Sequence, residues 1–353
     1  MSLYVGGHRC RWPLALASCF WCAAISAQTG DEETSAPLAE RQAASALATS
    51  VVLTDTEVLT LGLLSFDPGS FIPVGEDQFG SEESIGRRDS ITTFSLPWKW
   101  KLAPDESRLI PYINARLSFF ETKQDFIRGA ENPEEPGATP TDESTNEVSD
   151  ATKERVYGGY LGGGISYALT EKWKVDAGAG LHILRYQNDY KAGASLSPVT
   201  GEDVEGALFD TAATALMGQV QTRLTYSRET RGVPWKYQST YSYYAGETIS
   251  TGQELPEVQP KTWSWANGVT VYWDLPDVLN TSNKLRVLAR RVDVGGDVTR
   301  TLETDHYYQA GIGWLFDLDE DPSWLDNLGV SVMVNYGSAL SGGSLVLLYN
   351  EDW

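Results

Sequence analysis

Reactive side chains are scarce in this chain, and their spacing decides what chemistry they could do. The histidines are His8, His182 and His306, and the cysteines are Cys10, Cys19 and Cys22. A hydrolytic triad needs a nucleophile, a histidine and an acid that converge on one point. His182 stands in Gly-Leu-His-Ile-Leu, with no serine two residues on. His306 directly follows Asp305, but adjacent strand residues point to opposite faces, so these two side chains are expected to diverge. The cysteines all fall within the first 22 residues. If that segment is removed, no disulfide or Cys–metal site remains, and two histidines cannot make a His-rich one. The runs Gly158-Gly159 and Gly162-Gly163-Gly164 look like phosphate loops only superficially, because no helix follows them; they suit close strand packing. No catalytic, cofactor-binding or metal-binding residue is expected, and no cofactor. What remains is electrostatic, carried by Arg116, Lys172, Lys174, His182, Arg223, Arg286 and Arg290.

The elements that would position these residues are strands. Residues 327–336 place Leu328, Val330, Val332, Val334 and Tyr336 on one face and Asn327, Gly329, Ser331, Met333 and Asn335 on the other. The alternation recurs from Val58 to Trp353, in about twelve segments with spans near 58–66, 91–102, 108–121, 156–169, 172–187, 207–227, 235–246, 263–274, 284–294, 306–317, 327–339 and 343–353. Faces opposite the apolar ones carry Asn114 and Arg116, then Lys172, Lys174, Asp176 and His182, then Gln219, Gln221 and Arg223. A soluble sandwich also alternates, but small, glycine-rich back faces with Trp and Tyr at strand ends favour an all-β, antiparallel transmembrane barrel. In such a barrel Arg116, Lys172, Lys174, Arg223, Arg286, Arg290 and His182 line the lumen. Long connections (67–90, 122–155, 188–206, 247–262) alternate with short ones (103–107, 170–171, 228–234), as extracellular loops alternate with periplasmic turns.

Net charge is −21 with mean hydropathy −0.28, which argues against nucleic acid as a partner. Residues 129–152 hold seven acids and no Lys or Arg. Lys99, Lys101, Lys172, Lys174, Arg223, Lys236, Lys284 and Arg286 map near periplasmic strand ends, predicting an electropositive inner mouth, unless these charges merely pair with one another. Residues 1–27 read as a secretory signal: a basic start, an apolar core and a small-residue site at Ile25-Ser26-Ala27; lipidation at Cys19 is the competing reading. Residues 28–57 form a short periplasmic or lumenal segment, in which Ala36 to Ser50 suit a helix. That helix could plug the lumen, with Asp31, Glu32 and Glu33 meeting the basic mouth; a loose periplasmic tail is the alternative.

The chain ends with Leu345, Leu347, Tyr349 and Trp353 on one face, as in a strand read by the barrel-assembly machinery; Glu351 departs from that pattern. With these features, residues 51–353 resemble outer-membrane autotransporter β-barrels of the solitary kind, which lack a passenger. The resemblance implies a twelve-stranded barrel in the outer membrane of a Gram-negative bacterium, and brings no catalytic residues. The expected partners are outer-membrane lipid, lipopolysaccharide and the assembly machinery, and the expected state is monomeric. A non-enzymatic structural or surface-interaction role is expected. A narrow anion-preferring channel and a barrel-embedded hydrolase are the alternatives, the latter because Asp305-His306 is similar to the acid–His pair of barrel proteases.

Overall fold

The computed structural model describes residues 38–55, 59–61, 91–127, 149–191, 211–251, 257–278, 281–318, 326–337 and 342–351. The signal segment 1–27, the acids at 31–33, the acidic stretch 129–148 and Trp353 lie outside the described residues.

A helix, α1 (Leu38–Thr54), precedes twelve strands: β1 (Leu59–Leu61), β2 (Thr92–Lys101), β3 (Leu109–Ile127), β4 (Ser149–Ala168), β5 (Trp173–Lys191), β6 (Ala212–Thr230), β7 (Val233–Thr251), β8 (Lys261–Val278), β9 (Thr281–Gly296), β10 (His306–Asp317), β11 (Asn327–Tyr336) and β12 (Gly342–Tyr349). A one-turn helix, α2 (Val298–Leu302), lies between β9 and β10. Every strand pairs antiparallel with its sequence neighbours, and β1 pairs with β12, closing the barrel. Closure leaves no sheet edge with unpaired backbone groups, the condition for strands to cross a bilayer.

The strands run further than the sequence pattern suggests, chiefly toward the long connections. The β3–β4 ladder continues from Leu109–Tyr167 to Ile127–Ser149. Apolar alternation stops at the edge of the hydrocarbon, whereas backbone pairing does not, so pattern alone ends these hairpins too early.

Facing follows the alternation closely. Leu117, Leu161, Leu181, Ile183, Val220 and Ile312 are more than half exposed on the outer face. Such a continuous apolar exterior calls for lipid as its solvent. Trp173, Trp273 and Trp314 stand near the short-turn end, and Trp265, Tyr308 and Tyr336 near the other, as interfacial girdles do. Inside, the rings of Tyr112 and Tyr160 lie flat against the wall. A Cβ at Gly180 would come within 2.6 Å of the Tyr160 hydroxyl, and one at Gly164 within 2.5 Å of that of Tyr112. Close packing is thus what Gly162, Gly164 and Gly180 are for, whereas Gly159 of β4 meets open space.

Candidate functional site in the barrel lumen

α1 fills the half of the lumen nearest the long connections. Its alanine-rich sequence favours a helix, and small side chains let it approach the wall closely. Residues 43–52 are buried against Phe120, Val156, Leu184, Met217 and Val292 of the strands and Val298 and Leu302 of α2. From Ala43 to Thr54 the helix carries no charged side chain, which suits such an enclosed place. Its hydroxyls are absorbed locally: Ser50 donates to the Leu47 carbonyl at 2.8 Å and Thr54 to that of Ser50 at 2.6 Å. Ser45 donates to the Asp297 carbonyl at 2.7 Å and meets Thr301 Oγ1 at 2.6 Å, tying the helix to α2. Ser95 of β2 caps the C-terminal end, donating to the Thr54 carbonyl at 2.8 Å.

Asp55 follows immediately and is the hub of the lumen. Its carboxylate accepts from the Arg116 guanidinium and the Tyr244 hydroxyl, from Gln219 Nε2 at 2.8 Å and from Gln221 Nε2 at 3.3 Å. Arg116 also stacks over the Tyr160 ring at 4.9 Å. Because Gln219 spends its amide N–H on Asp55, its Oε1 is left to accept from His182 Nε2 at 2.8 Å, which makes His182 a donor there. His182 is buried, 4.6 Å from the Tyr160 ring centroid, and supports the wall of this junction.

Toward the short turns the lumen opens into a cavity of about 1710 Å³. Arg116, Lys172, Lys174, Arg223, Arg286 and Arg290 all line it. It carries eleven Lys and Arg against seven Asp and Glu, in a chain with 27 against 48, so the cations are concentrated here. Part of the charge is paired: Arg116 with Asp55, Lys101 with Asp105 at 2.7 Å, and Lys236 and Arg286 with Glu351 at 3.3 Å each.

Glu351 explains its own departure from the terminal pattern. Leu345, Leu347 and Tyr349 lie across the ladder from Val332, Val330 and Leu328, on the outer face. Asn350 then adopts φ 49°, which breaks the alternation and turns Glu351 inward. Asn327 holds the turned backbone, accepting from Glu351 N and donating to Glu351 O at 2.9 Å each. The carboxylate also accepts from the Tyr272 hydroxyl at 2.8 Å.

One expectation is corrected. Asp305 and His306 do not diverge: His306 Nδ1 and Asp305 Oδ1 are 2.6 Å apart. Asp305 lies in the bend before β10, where strand alternation does not apply. The hydrogen bond with His306 holds the Asp305 carboxyl below its ordinary range. Among the described residues no three His, Cys, Asp or Glu side chains gather to hold a metal ion.

Sequence reasoning missed Asp55 and Tyr244. The available signal for Asp55 was its place just after a helix, where the negative end of the dipole disfavours an acid, so that a cation must come from elsewhere.

The family described as the solitary outer membrane autotransporter beta-barrel domain matches residues 44–351. The chain belongs to that family. No curated protein matches it in sequence. Among solved structures, the β-domain of the Bordetella autotransporter BrkA is similar at 11% identity and TM-score 0.45, covering 73% of this chain and 88% of that one. The transport unit of the autotransporter AIDA-I from Escherichia coli is similar at 8% identity and TM-score 0.44, covering 90% and 100%. The translocator domain of the autotransporter NalP from Neisseria meningitidis is similar at 11% identity and TM-score 0.41, covering 95% and 100%.

Family membership places the barrel in the outer membrane of a Gram-negative bacterium. Short turns face the periplasm and long loops the exterior in such barrels. The plug helix therefore occupies the outer half of the lumen, and the basic cavity faces the periplasm.

Proposed function

We propose that this protein is a non-enzymatic, plugged outer-membrane barrel: closed to solutes across the membrane and acting through the surfaces it presents. The observation that carries the reading is α1, buried in the lumen and tied at its middle through Ser45 to α2 and just past its C-terminal end through Asp55 to Arg116. In the same reading the chain is exported through residues 1–27, inserted with the help of the assembly machinery, and resident as a monomer among lipid and lipopolysaccharide. His182 supports the non-enzymatic part of the reading, because its ring is committed to Gln219 beside the plug. The acids of residues 129–152 make the outer loops the natural contact surface.

A narrow anion-preferring channel is the second reading, favoured by the cations of the inner cavity. The two are separated by single-channel recording of the refolded mature protein in a planar bilayer. A silent wild type, with discrete steps appearing when residues 38–54 are deleted, supports the plugged barrel. Anion-selective steps of equal size from both proteins refute it in favour of the channel.

A further inference from the structure

On its outer face, toward the long connections, the barrel gathers cations on β3, β4 and β5. Parity settles which way they point. Leu117, Leu161 and Leu181 are exposed on the outside, so Glu121 and Lys123, Lys153 and Arg155, and Arg185 and Asp189 share that face with them. Register draws the six into one patch: Glu121 lies across from Arg155, Lys123 from Lys153, Lys153 from Asp189, and Arg185 from Tyr157. The rings of Phe119 and Tyr157, with centroids 5.1 Å apart, edge the apolar band, and the charges stand level with Tyr157 and in the two rows beyond it. Strands are ~4.8 Å apart, so the patch is about 10 Å wide.

Two carboxylates serve four cations. Glu121 meets Lys153 Nζ at 2.8 Å, Arg155 Nε at 3.2 Å and Lys123 Nζ at 3.7 Å. Asp189 meets Arg155 Nη1. Lys123, 58% exposed, therefore reaches its acid only beyond hydrogen-bonding distance. Arg185 is exposed and donates to a neutral acceptor, Thr214 Oγ1, at 3.0 Å. On β9, by contrast, Arg291 and Asp293 pair one to one at 2.6 Å. In a chain of net charge −21, a local excess of cations on an outward face marks where negative charge from outside is met.

From this excess, placed on the lipid-facing wall at the edge of the apolar band, we infer that β3–β5 form a docking surface for lipopolysaccharide, held through the phosphates of its lipid anchor. The inference rests on the part of the proposed function that surrounds the barrel with lipopolysaccharide, and not on the plug. Position and charge choose the occupant. Side chains at this height stand at the headgroup level of the outer leaflet, where Lys and Arg lay their stems along the apolar wall and reach the phosphates. Paired guanidinium N–H donors match phosphate oxygens, and an ammonium adds a compact charge. Lys123 and Arg185 supply the charge that the two carboxylates leave over. Glu121 and Asp189 orient Lys153 and Arg155 beside them. The acyl chains then run down past Leu117, Leu161 and Leu181. The competing occupant is the acidic connection between β3 and β4.

The test titrates the refolded, full mature chain in detergent, with chelator present, against deep-rough lipopolysaccharide and against the same lipid stripped of its phosphates. Native mass spectrometry counts the bound lipid. Saturable binding of the phosphorylated form is expected, about tenfold tighter than that of the stripped form and weakened as salt rises. Lys123→Gln with Arg185→Gln, which removes no close ion pair, is expected to lower the affinity fivefold or more. Arg291→Gln, at the same end of the barrel but outside the patch, is expected to leave it within twofold. Absence of saturable binding, equal binding of the two lipids, or equal effects of the two variants overturns the proposal. Binding that appears only after residues 131–147 are deleted assigns the patch to the acidic connection and overturns it as well. Heat-modifiable migration verifies each fold. A folded barrel that binds no lipopolysaccharide removes the site and leaves the plugged barrel, which conductance tests, untouched.

Discussion

Replacing Asp55 with asparagine is the sharpest perturbation of the plug. The side chain keeps its shape, but the charge that Arg116 faces is lost, and an amide N–H is turned toward groups that are themselves donors. Arg116 and Asp55 are 6% and 13% exposed, so water reaches the orphaned guanidinium poorly. Removing one partner of a buried ion pair costs roughly 3–5 kcal/mol. The adjoining cavity supplies some hydration, which argues for the lower end, about 3 kcal/mol. If that cost falls on the plugged state, the ratio of open to closed time rises about 150-fold, at ~1.4 kcal/mol for each factor of ten. Single-channel recording at fixed voltage measures the ratio directly. Arg116→Gln should act in the same direction. The double variant Asp55→Asn, Arg116→Gln should recover most of the loss, because two neutral amides can pair and no buried charge is stranded. Equal open fractions in wild type and Asp55→Asn would refute the clamp. So would a double variant whose effect is simply the sum of the two singles.

Two further perturbations probe the ends of the same architecture. Ser45→Cys with Thr301→Cys should form a disulfide, since the two hydroxyl oxygens are 2.6 Å apart, and the mature chain has no competing thiol if residues 1–27 are removed. Any openings seen in the Asp55→Asn background should vanish on oxidation and return on reduction; openings indifferent to reductant would contradict the position of α1. Glu351→Gln removes the carboxylate that Lys236 and Arg286 share and should lower stability by about 2–4 kcal/mol, discounted from a fully buried pair because the site borders the open cavity. Urea denaturation of the refolded barrel reads this as a lower midpoint, and an unchanged midpoint would show that the inward turn at Asn350 serves no stabilising purpose.

The amino-acid sequence by itself determined the barrel and which side chains face the lumen. Strand facing has a period of two, so Leu181, His182 and Ile183 declare their sides from order alone, and the structure keeps every one of them. Short-range facts were legible for the same reason: the helix-forming run of alanines and the small glycines of β4 and β5. Where local order breaks, the reading failed. Asp305 stands just outside its strand and meets His306 instead of diverging from it, and Glu351 is turned inward by the left-handed Asn350. Only the tertiary structure decided who meets whom across the lumen. Asp55 lies 61 residues from Arg116 and 189 from Tyr244, and Glu351 lies 115 from Lys236. Such partners are chosen by barrel closure and strand register, which bring distant residues to one point and leave no trace in the spacing along the chain.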